Sequence, residues 1–484
     1  MRSRCSWPWL ALLVTSGGLG CVEKKGPVLS ASPTPPLPDA VLPVASSAQL
    51  AWQKQEMAAF VHFGMDTFTN TEEGSGTDSP TLFNPTSLDA GQWITSFQSA
   101  GFREAILTAK HIDGFCLWPT KCTDYSVAAS PFRGGQGDVV REFVNAAREG
   151  NLRVGLALYP LDNHDPTYGT SAYAGVFDCE LTELLTSYGS LDEIYLWLAP
   201  SAPDLDWNAI HDLVRQLQPQ ALLELQVGNP TTANDVRTIA WWGGYVPTDQ
   251  SSVQTPSPSS GTSMWIPAEA IYTIRPGSFW HAAEDSKVKT LDQILGLYFD
   301  SVGRNSLLRL DVPPNTEGLL ADPDVAILGQ LGPAITNLYR INVAAGQSAT
   351  ADSVFQGLAA YDSASAFDGN ADTFWAAADG MTTGRLQIDL GGPRSFNLIS
   401  IQEPIALGER ATGYHIEVRM NGAWTTLVSG TSIGERKLFS VSPVTADSAA
   451  LVITAARGAP AISEFGLYDT GTADAGATGA APAP

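Results

Sequence analysis

Residues 104–115, with the sequence EAILTAKHIDGF, contain an apolar run that ends in a polar, glycine-containing segment. The run Glu104–His111 is typical of a β-strand, and helix-period segments lie on both sides of it. Such alternation predicts βα units. In a barrel of βα units the functional side chains collect at the carboxyl ends of the strands, so His111 lies where a site is expected.

The same alternation continues on both sides of this stretch. Further strand-like runs are Ala58–Gly64, Val154–Tyr159, Glu193–Ala199, Ala221–Val227 and Ser306–Leu310. Amphipathic helices are predicted at Asp138–Glu149, Glu180–Tyr188, Trp207–Leu217, Leu291–Val302 and Asp324–Arg340. The pattern predicts an α/β fold, a (β/α)8-like TIM barrel, with His62, Asp162 and Ala199 also at strand ends.

The sequence pattern changes from alternating strands and helices to short β segments after the last of these helices. From Val343 to Tyr468 short β segments separated by Gly, Asn, Asp and Ser predict a C-terminal β-sandwich. The chain therefore divides into residues 1–21 as a lipoprotein-type signal peptide, 22–49 as a Pro/Ser-rich linker, 50–340 as the barrel, 341–469 as the sandwich and 470–484 as a disordered tail.

Composition limits the class of ligand. The 484 residues include 27 basic and 50 acidic side chains, for a formal net charge of −23, and a hydrophobic fraction of 44% that can fill two cores. This charge repels nucleic acid and anionic lipid headgroups. A neutral glycan is the more compatible partner.

The N-terminus carries an export signal. Arg2 and Arg4 precede an apolar run that is too short to span a bilayer, and the run ends in the sequence GGLGC at residues 17–21. This ending resembles a bacterial lipobox, which would leave Cys21 carrying lipid, and the alternative is an ordinary cleaved secretory peptide. We expect an exported bacterial protein, lipid-anchored in the cell envelope or otherwise periplasmic or secreted.

Three cysteines remain beyond Cys21: Cys116, Cys122 and Cys179. An exported protein allows one disulfide among them, and Cys116 and Cys122 are the closest pair in sequence. No second cluster of ligand residues accompanies them, so a metal site is not expected there.

Several ordered blocks share a known pattern. They include residues 61–65 (VHFGM), 108–119 (TAKHIDGFCLWP), 162–169 (DNHDPTYG), 265–269 (WIPAE) and 274–277 (IRPG). Together they resemble the α-L-fucosidases of glycoside hydrolase family 29, and their order suggests the bacterial branch that often carries a discoidin-like domain. The resemblance implies retaining hydrolysis of terminal α-L-fucose, without a cofactor in the barrel.

Retaining hydrolysis needs two carboxyl groups, one as nucleophile and one as acid/base, about 5–5.5 Å apart. The family's nucleophile follows the fourth strand in a setting such as Trp-Phe-Asp-Gly, and residues 197–200 (WLAP) align with that setting so that Ala199 replaces the aspartate. An alanine methyl group forms no glycosyl intermediate. Asp204 is a substitute candidate, whereas Asp206 is expected to cap the helix that begins at Trp207.

The acid/base position is also altered. The nearest match to the family's segment is residues 244–249 (GYVPTD), which puts Thr248 in that position and leaves Asp249 one residue away as a substitute candidate. A shift by one residue in an extended segment turns a side chain to the opposite face. Glu269, from a retained block, is expected to form a structural ion pair.

Sugar-binding positions are mixed. His62, Glu72, His111 and Arg275 match positions that contact fucose in relatives, although each is equally compatible with a buried structural role. Ile112 replaces the second of two adjacent histidines of the family. Glu73 replaces an aromatic residue that often follows the retained Glu72, and Leu161 replaces the tryptophan at the end of the third strand. These three losses indicate relaxed selection on fucose binding or a change of ligand.

The C-terminal segment is similar to the discoidin or coagulation factor type C family, through residues 367–375 (FDGNADTFW), 386–391 (LQIDLG) and 462–468 (ISEFGLY). Some relatives hold a structural Ca²⁺, for which Asp368, Asn370 and Asp372 offer oxygen ligands. Trp375 and Trp424 are candidate sugar platforms, but a core position is the commoner role for both.

Three functions stay open from the sequence. They are an active fucosidase with recruited carboxylates such as Asp204 and Asp249, a non-catalytic protein that binds fucosylated or other neutral glycans, and a scaffold lipoprotein. Partners on a membrane are expected only through the lipid anchor.

Overall fold

The structure is a computed structural model that describes residues 35–197, 205–225, 239–242, 246–254 and 263–471. Cys21, Ala199 and Asp204, for which the sequence made predictions, lie outside these ranges. Among the described helices, none has the length and apolar character that crossing a membrane requires.

The barrel is built on eight parallel strands. They are β1 (Met57–Val61), β2 (Glu104–Lys110), β3 (Arg153–Leu158), β4 (Glu193–Leu196), β5 (Leu222–Leu225), β6 (Ile239–Trp242), β9 (Ala268–Thr273) and β10 (Ser306–Asp311). Their order in the sheet is β5-β4-β3-β2-β1-β10-β9-β6. A small hairpin, β7 (Val253–Gln254) and β8 (Met264–Trp265), precedes β9. The predicted α/β TIM-like barrel is confirmed.

Helices alternate with the barrel strands. They are α1 (Ser47–Gln53), α2 (Met65–Thr69), α3 (Ala90–Ala100), α4 (Val139–Glu149), α5 (Tyr173–Ser187), α6 (Trp207–Leu217), α7 (Leu291–Ser301) and α8 (Asp322–Leu338). The predicted cap at Asp206 is confirmed, because its carboxyl group accepts hydrogen bonds from the backbone N–H groups of Asn208 and Ala209.

The interior of the barrel contains a buried ionic cluster centred on Arg309 of β10. Its guanidinium donates to Glu269 (2.7 Å), Glu193 (3.0 Å) and Glu224 (3.2 Å), on β9, β4 and β5. Burial alone would lower the pKa of Arg309, but the three glutamates raise it well above its usual value. The structural ion pair expected of Glu269 is confirmed, and the cluster joins strands from opposite sides of the barrel.

The second domain is an antiparallel sandwich, as predicted. The strand order β11-β13-β16-β14-β15 joins β11 (Ser348–Ala351), β13 (Gly384–Gln402), β14 (Ala411–Met420), β15 (Ala423–Gly430) and β16 (Lys437–Ala456), while β18 (Glu464–Tyr468) also pairs with β13. A short pair, β12 (Trp375–Ala376) and β17 (Ala461–Ile462), closes one end.

The two candidate tryptophans of the sandwich have different positions. Trp375 is fully buried and donates to the carbonyl of Ser353 (3.0 Å), so its core position is confirmed. The core position of Trp424 is wrong, since 36% of this residue is exposed on the edge strand β15. There the guanidinium of Arg385 lies 4.6 Å from the centre of the ring, which replaces core packing by a cation–π contact.

The disulfide joins Cys122 to Cys179, and Cys116 is a buried free thiol. The closest pair in sequence, Cys116 and Cys122, is therefore the wrong pair. Cys116 points instead toward Glu180, with its Sγ atom 3.6 Å from a carboxyl oxygen. The long α5, which starts seven residues earlier than the predicted Glu180, brings Cys179 to the loop that follows Cys116.

Peptide mapping under non-reducing conditions is expected to give a linked pair of peptides that contain Cys122 and Cys179. Because this bridge spans 57 residues, the double variant Cys122→Ser/Cys179→Ser is expected to lose about 2–4 kcal/mol in free energy of unfolding, measured with urea. The variant Cys116→Ala is the control and retains the link. A peptide joined through Cys116 would contradict this assignment.

Arg309→Met is expected to lower the free energy of unfolding by about 3–5 kcal/mol, because it leaves three buried glutamates without their cation. Arg394→Met, at an exposed position of the sandwich, is the matched control and should change stability by less than about 0.5 kcal/mol. Equal urea midpoints for the two variants would show that the ionic cluster does not hold the barrel together.

Candidate functional site

Each of the first four strands in the order of the chain is followed by a polar or aromatic residue. His62 follows β1, His111 follows β2, Tyr159 follows β3 and Trp197 follows β4. Phe279, from the loop after β9, packs among them, and we call these five residues the strand-end cluster. The predicted convergence of His62 and His111 at one end of the barrel is confirmed.

The members of the strand-end cluster contact one another through their rings. The Tyr159 ring lies 4.6 Å from that of His111 and 5.2 Å from that of Trp197, between ring centres. Phe279 lies 5.5 Å from His62 and 4.9 Å from His111. The Tyr159 hydroxyl and His62 Nε2 are also within hydrogen-bonding distance, at 3.2 Å. The cluster is a continuous polar and aromatic surface.

Burial opposes charge on His62 and on the neighbouring Asp311, at the inner side of the cluster. Burial lowers the pKa of His62 well below its usual value, and the neighbouring His111 adds to this effect. Asp311, whose Oδ2 lies 3.5 Å from His62 Nδ1, is also fully buried. Burial raises the pKa of Asp311 well above its usual value, although a hydrogen bond from Ser278 and the charge of Arg309 oppose this. The surroundings of Asp311 therefore favour the neutral carboxyl group over the carboxylate.

His111 is oriented by a residue that the sequence did not indicate. Its Nδ1 atom lies 3.0 Å from Asp66 Oδ2, and Asp66, in the first turn of α2, is buried. A carboxylate can only accept a hydrogen bond, so His111 donates from Nδ1 and presents Nε2 to the site.

Burial differs between the inner and outer members. His62, Tyr159 and Phe279 are only 1–3% exposed, whereas His111 and Trp197 are partly exposed. A ligand approaching this end of the barrel therefore meets His111 and Trp197 first.

Glu72 lies at the rim, beside the loop that carries Phe279. Its carboxylate accepts from the backbone of Ser278 (2.9 Å) and pairs with His281 Nε2 (2.7 Å). Gly277 permits this approach, since a Cβ atom there would lie 2.4 Å from Glu72 Oε1. Glu72 thus holds this loop against the barrel, with 45% of its side chain exposed.

Arg275 is fully buried, in contrast to a residue that touches a sugar from the rim. Its guanidinium pairs with Asp285 (3.0 Å) and with Asp324 of α8. The structure therefore places Arg275 as an anchor of the loop at residues 275–285.

Asp162, another predicted strand-end residue, also has a structural position. Lys110 donates to Asp162 (3.0 Å), to Glu180 (2.6 Å) and to the hydroxyl of Tyr173 (3.0 Å), all within the protein interior. Asp162 further accepts from the backbone of His164 and Asp165. Its carboxylate is committed to this buried cluster.

Trp197 is the residue that the structure places at the end of β4. Side chains of a strand alternate in direction, and Glu193 and Tyr195 of the same strand point into the barrel, toward Arg309. Trp197 has the same parity and packs on Tyr159. Trp197 is therefore the tryptophan of the aligned Trp-Phe-Asp-Gly setting, and the nucleophile position Ala199, two residues later, lies outside the described residues.

The two residues predicted for the acid/base position lie against the sandwich. Thr248 is exposed, and Asp249 accepts from the backbone N–H of Thr431 (3.1 Å) and lies 3.7 Å from Lys437 Nζ. Nearby, Glu409 of the sandwich accepts from the backbone of Ser252 (2.9 Å). This segment is thus tied to the second domain, and the structure does not bring Asp249 into the strand-end cluster.

The predicted calcium ligands fit a cation only in part. Asp368 accepts from the Asn370 backbone, Asn370 Oδ1 from the Asp372 backbone, and Asp372 pairs with Lys54 (3.1 Å) across the domains. Burial and the nearby Asp368 raise the pKa of Glu464 to about 7, with one of its oxygens buried and without a hydrogen-bond partner. Asp368 with Glu464 fits a cation better than Asp372 does.

Elsewhere in the described ranges, one group of three possible metal ligands lies close together: Cys122, Cys179 and Glu183. The two cysteines form the disulfide, so they offer no thiolate.

Sequence reasoning missed Asp66, Tyr159, Trp197, Phe279 and Asp311. Strand parity from Glu193 could have indicated Trp197, and the position directly after a strand could have indicated Tyr159. Asp66 and Phe279 lie in loop and short-helix segments with no periodic signal.

Comparison with known proteins agrees with this architecture. Residues 41–336 match the family described as Alpha-L-fucosidase, and residues 348–465 match the F5/8 type C domain. Both predicted resemblances are confirmed.

Individual relatives extend this agreement to the whole chain. Alpha-L-fucosidase 1 of Arabidopsis thaliana is 38% identical over 462 residues, which cover 91% of this chain and 90% of the plant protein. The structure of a GH29 fucosidase of Ruminococcus gnavus in complex with fucose is 29% identical, with a TM-score of 0.82, and covers 90% of this chain and 97% of that one. The structure of SpGH29 is 30% identical, with a TM-score of 0.81 and coverage of 89% and 99%. Since similar relatives come from plants as well as bacteria, the bacterial branch stays a prediction.

Asp66→Ala is expected to release His111 from a single tautomer, because it removes the acceptor of the Nδ1 hydrogen. Imidazole ¹⁵N NMR should show His111 protonated at Nδ1 before the substitution and as a mixture of tautomers after it. His164, whose Nδ1 lies 2.7 Å from the carbonyl of Gly76, is the internal control and should not change. An Nε2-protonated His111 in the unaltered protein would contradict the assignment.

Proposed function

Since the chain belongs to the alpha-L-fucosidase family and carries a C-terminal F5/8 type C domain, we propose that it binds terminal α-L-fucosyl groups of glycans at the strand-end cluster. We further propose that it does not cleave them by double displacement. Its role is that of a glycan-binding member of a hydrolase family.

One observation carries the second part of this proposal. The segment after β4 reads Trp197-Leu198-Ala199-Pro200, and its alignment with Trp-Phe-Asp-Gly puts Ala199 where the mechanism needs a carboxylate. A methyl group neither attacks the anomeric carbon nor stabilises positive charge there as an anion does. Trp197 matches the tryptophan of that setting and packs on Tyr159.

The carboxyl groups nearest the strand-end cluster do not replace it. Asp311 is fully buried, in surroundings that favour its neutral form, and Asp66, 1% exposed, is bonded to His111. Glu72, at the rim, is bonded to the backbone of Ser278 and to His281. The five residues of the cluster themselves carry no carboxyl group, whereas double displacement needs two that lie about 5–5.5 Å apart.

Binding is supported by the chemistry of the accessible residues. His111 offers Nε2 as a hydrogen-bond acceptor to a sugar hydroxyl, and the exposed part of the Trp197 ring offers a stacking surface for the apolar face of a pyranose. The net charge of −23 suits a neutral sugar. The GH29 fucosidase of Ruminococcus gnavus has also been crystallised with fucose as a variant in which one aspartate is replaced by alanine. Loss of an aspartate is therefore compatible with holding the sugar in that relative.

We place the protein outside the cytoplasm, anchored through Cys21 and a tether that is shorter than the predicted linker 22–49, since the Val41 N–H donates to the Leu407 carbonyl (2.9 Å) and α1 begins at Ser47. The bridge between Cys122 and Cys179 supports an oxidising compartment. A Ca²⁺ ion in the sandwich, held by Asp368 and Glu464, is part of the same proposal.

Hydrolysis of 4-nitrophenyl α-L-fucoside tests the absence of catalysis. The activated leaving group needs little help from a general acid, so the assay isolates the nucleophile. The unaltered protein is expected to give no turnover above a buffer blank. Ala199→Asp would restore a carboxylate, and Ala199→Asn is the matched control that cannot attack. Turnover by the unaltered protein that is lost in Asp204→Asn would contradict the proposal and identify the recruited nucleophile.

Titration with L-fucose, followed by ligand-observed NMR, tests the binding part. His111→Ala is expected to weaken binding about 5- to 10-fold, which corresponds to one lost hydrogen bond of about 1–1.4 kcal/mol. His415→Ala, in the sandwich, is the matched control and should leave the affinity unchanged. No binding of fucose at any concentration, or equal binding by both variants, would remove the barrel from glycan recognition and favour a scaffold function.

A further inference from the structure

A cavity lies at the end of the barrel opposite to the strand-end cluster, at the amino ends of β1, β2 and β3. It has a volume of about 570 Å³ and opens to solvent. Its polar lining consists of Lys54, Gln55, Gln98, Arg103, Asn151 and Arg153. This size falls in the range of small-molecule sites and exceeds that of a single ion.

The charge of this cavity is opposite to that of the protein. Three of its lining residues, Lys54, Arg103 and Arg153, are cationic in a chain with 27 basic and 50 acidic residues. The Arg153 backbone N–H donates to the Arg103 carbonyl (2.9 Å), which holds the starts of β2 and β3 side by side. Both arginines therefore belong to rigid strand ends.

These cations are only loosely neutralised. Arg153 lies 3.8 Å from Glu104 and 3.8 Å from Asp192, distances too long for hydrogen bonds. Lys54 pairs with Asp372, whose side chain is 81% exposed. Guanidinium hydrogens of Arg153 are thus still available to a ligand.

Buried polar atoms without partners concentrate beside this cavity. The Nε of Arg153 is buried without a hydrogen-bond partner in the described structure. The Gln55 amide and the Glu104 carboxyl group are buried beside each other, but none of their polar atoms has a hydrogen bond of standard geometry. Gln55 is only 5% exposed. Buried polar groups are nearly always satisfied in folded proteins, and an unsatisfied one costs free energy. The concentration of such atoms around a polar cavity indicates that a bound polar ligand supplies the missing hydrogen bonds.

Glu104 does not oppose an anion at neutral pH. Burial and the charge of Glu193 raise its pKa to about 8, while Arg153 and Arg309 lower it and the adjacent Gln55 amide has a smaller opposing effect. The group is therefore mostly protonated at pH 7. As a carboxylic acid it offers a donor, not a negative charge.

We propose that this cavity binds an anionic monosaccharide unit, a pyranose with a carboxylate or a sulfate group. The anionic group contacts Arg103 and Arg153, which suit planar or tetrahedral oxyanions. The amides of Gln55 and Asn151 bond to ring hydroxyls, and Phe102 and Leu152 provide an apolar side to the cavity. The site shares no residue with the strand-end cluster and does not depend on fucose binding there.

Isothermal titration calorimetry of the full mature chain tests this proposal with four probes: glucuronate, galactose 6-sulfate, neutral galactose and inorganic sulfate. At least one of the two anionic sugars is expected to bind at least tenfold more tightly than both galactose and inorganic sulfate. Equal binding of inorganic sulfate would overturn the sugar part of the proposal. No binding by either anionic sugar would overturn it entirely.

Two variants locate the binding. Arg103→Gln, at an exposed position, and Gln55→Leu, which removes an amide that has no hydrogen bond of standard geometry in the protein, are each expected to raise the Kd at least tenfold. Arg394→Gln in the sandwich is the matched control. Fucose binding should persist in both cavity variants, so failure here is distinguishable from failure at the strand-end cluster. Unchanged affinity in both variants would overturn the assignment to this cavity.

Discussion

The ion cluster around Arg309 is the interaction on which the barrel depends. It links β10 to β4, β5 and β9, so it joins strands that are not all neighbours in the sheet. A buried cation with three glutamates tolerates little displacement, because each lost partner leaves an unpaired charge in the interior. The positions of the strand ends follow from it.

Because side chains alternate along a strand, the ion cluster also determines which residues of β4 and β10 point toward the site. Glu193, Tyr195 and Trp197 have one parity on β4, and Arg309 and Asp311 have one parity on β10. The level above the ion cluster therefore contains Tyr195 and Asp311, and the next contains Trp197. This parity brings the Trp197 indole onto Tyr159, and Ala199, which aligns with the catalytic aspartate, follows two residues later in the sequence.

The sequence predicted the fold well and the site only in part. Strands such as Glu104–Lys110 and helices such as Trp207–Leu217 were predictable because hydrophobic periodicity and the cap at Asp206 are local signals. The pairing of Cys122 with Cys179 was not, since it depends on the length of α5 and on how this helix packs. Likewise Arg275 and Asp162 have charges that suit a ligand, and only the fold shows that Asp324 and Lys110 already neutralise them.

The two ends of the barrel have opposite character in this account. One end presents an aromatic surface with two histidines, and the other presents cations and unsatisfied polar atoms. We propose that each end of this barrel binds a different class of sugar.

The most direct test of the central claim is covalent trapping with 2-deoxy-2-fluoro-α-L-fucosyl fluoride, followed by intact-protein and peptide mass spectrometry. A retaining enzyme forms a slowly hydrolysed fluorofucosyl ester on its nucleophile. We expect the mass of the unaltered protein to stay unchanged at every inhibitor concentration. A fluorofucosyl group found on any carboxyl side chain, such as Asp204, would show that a nucleophile persists and would contradict the account.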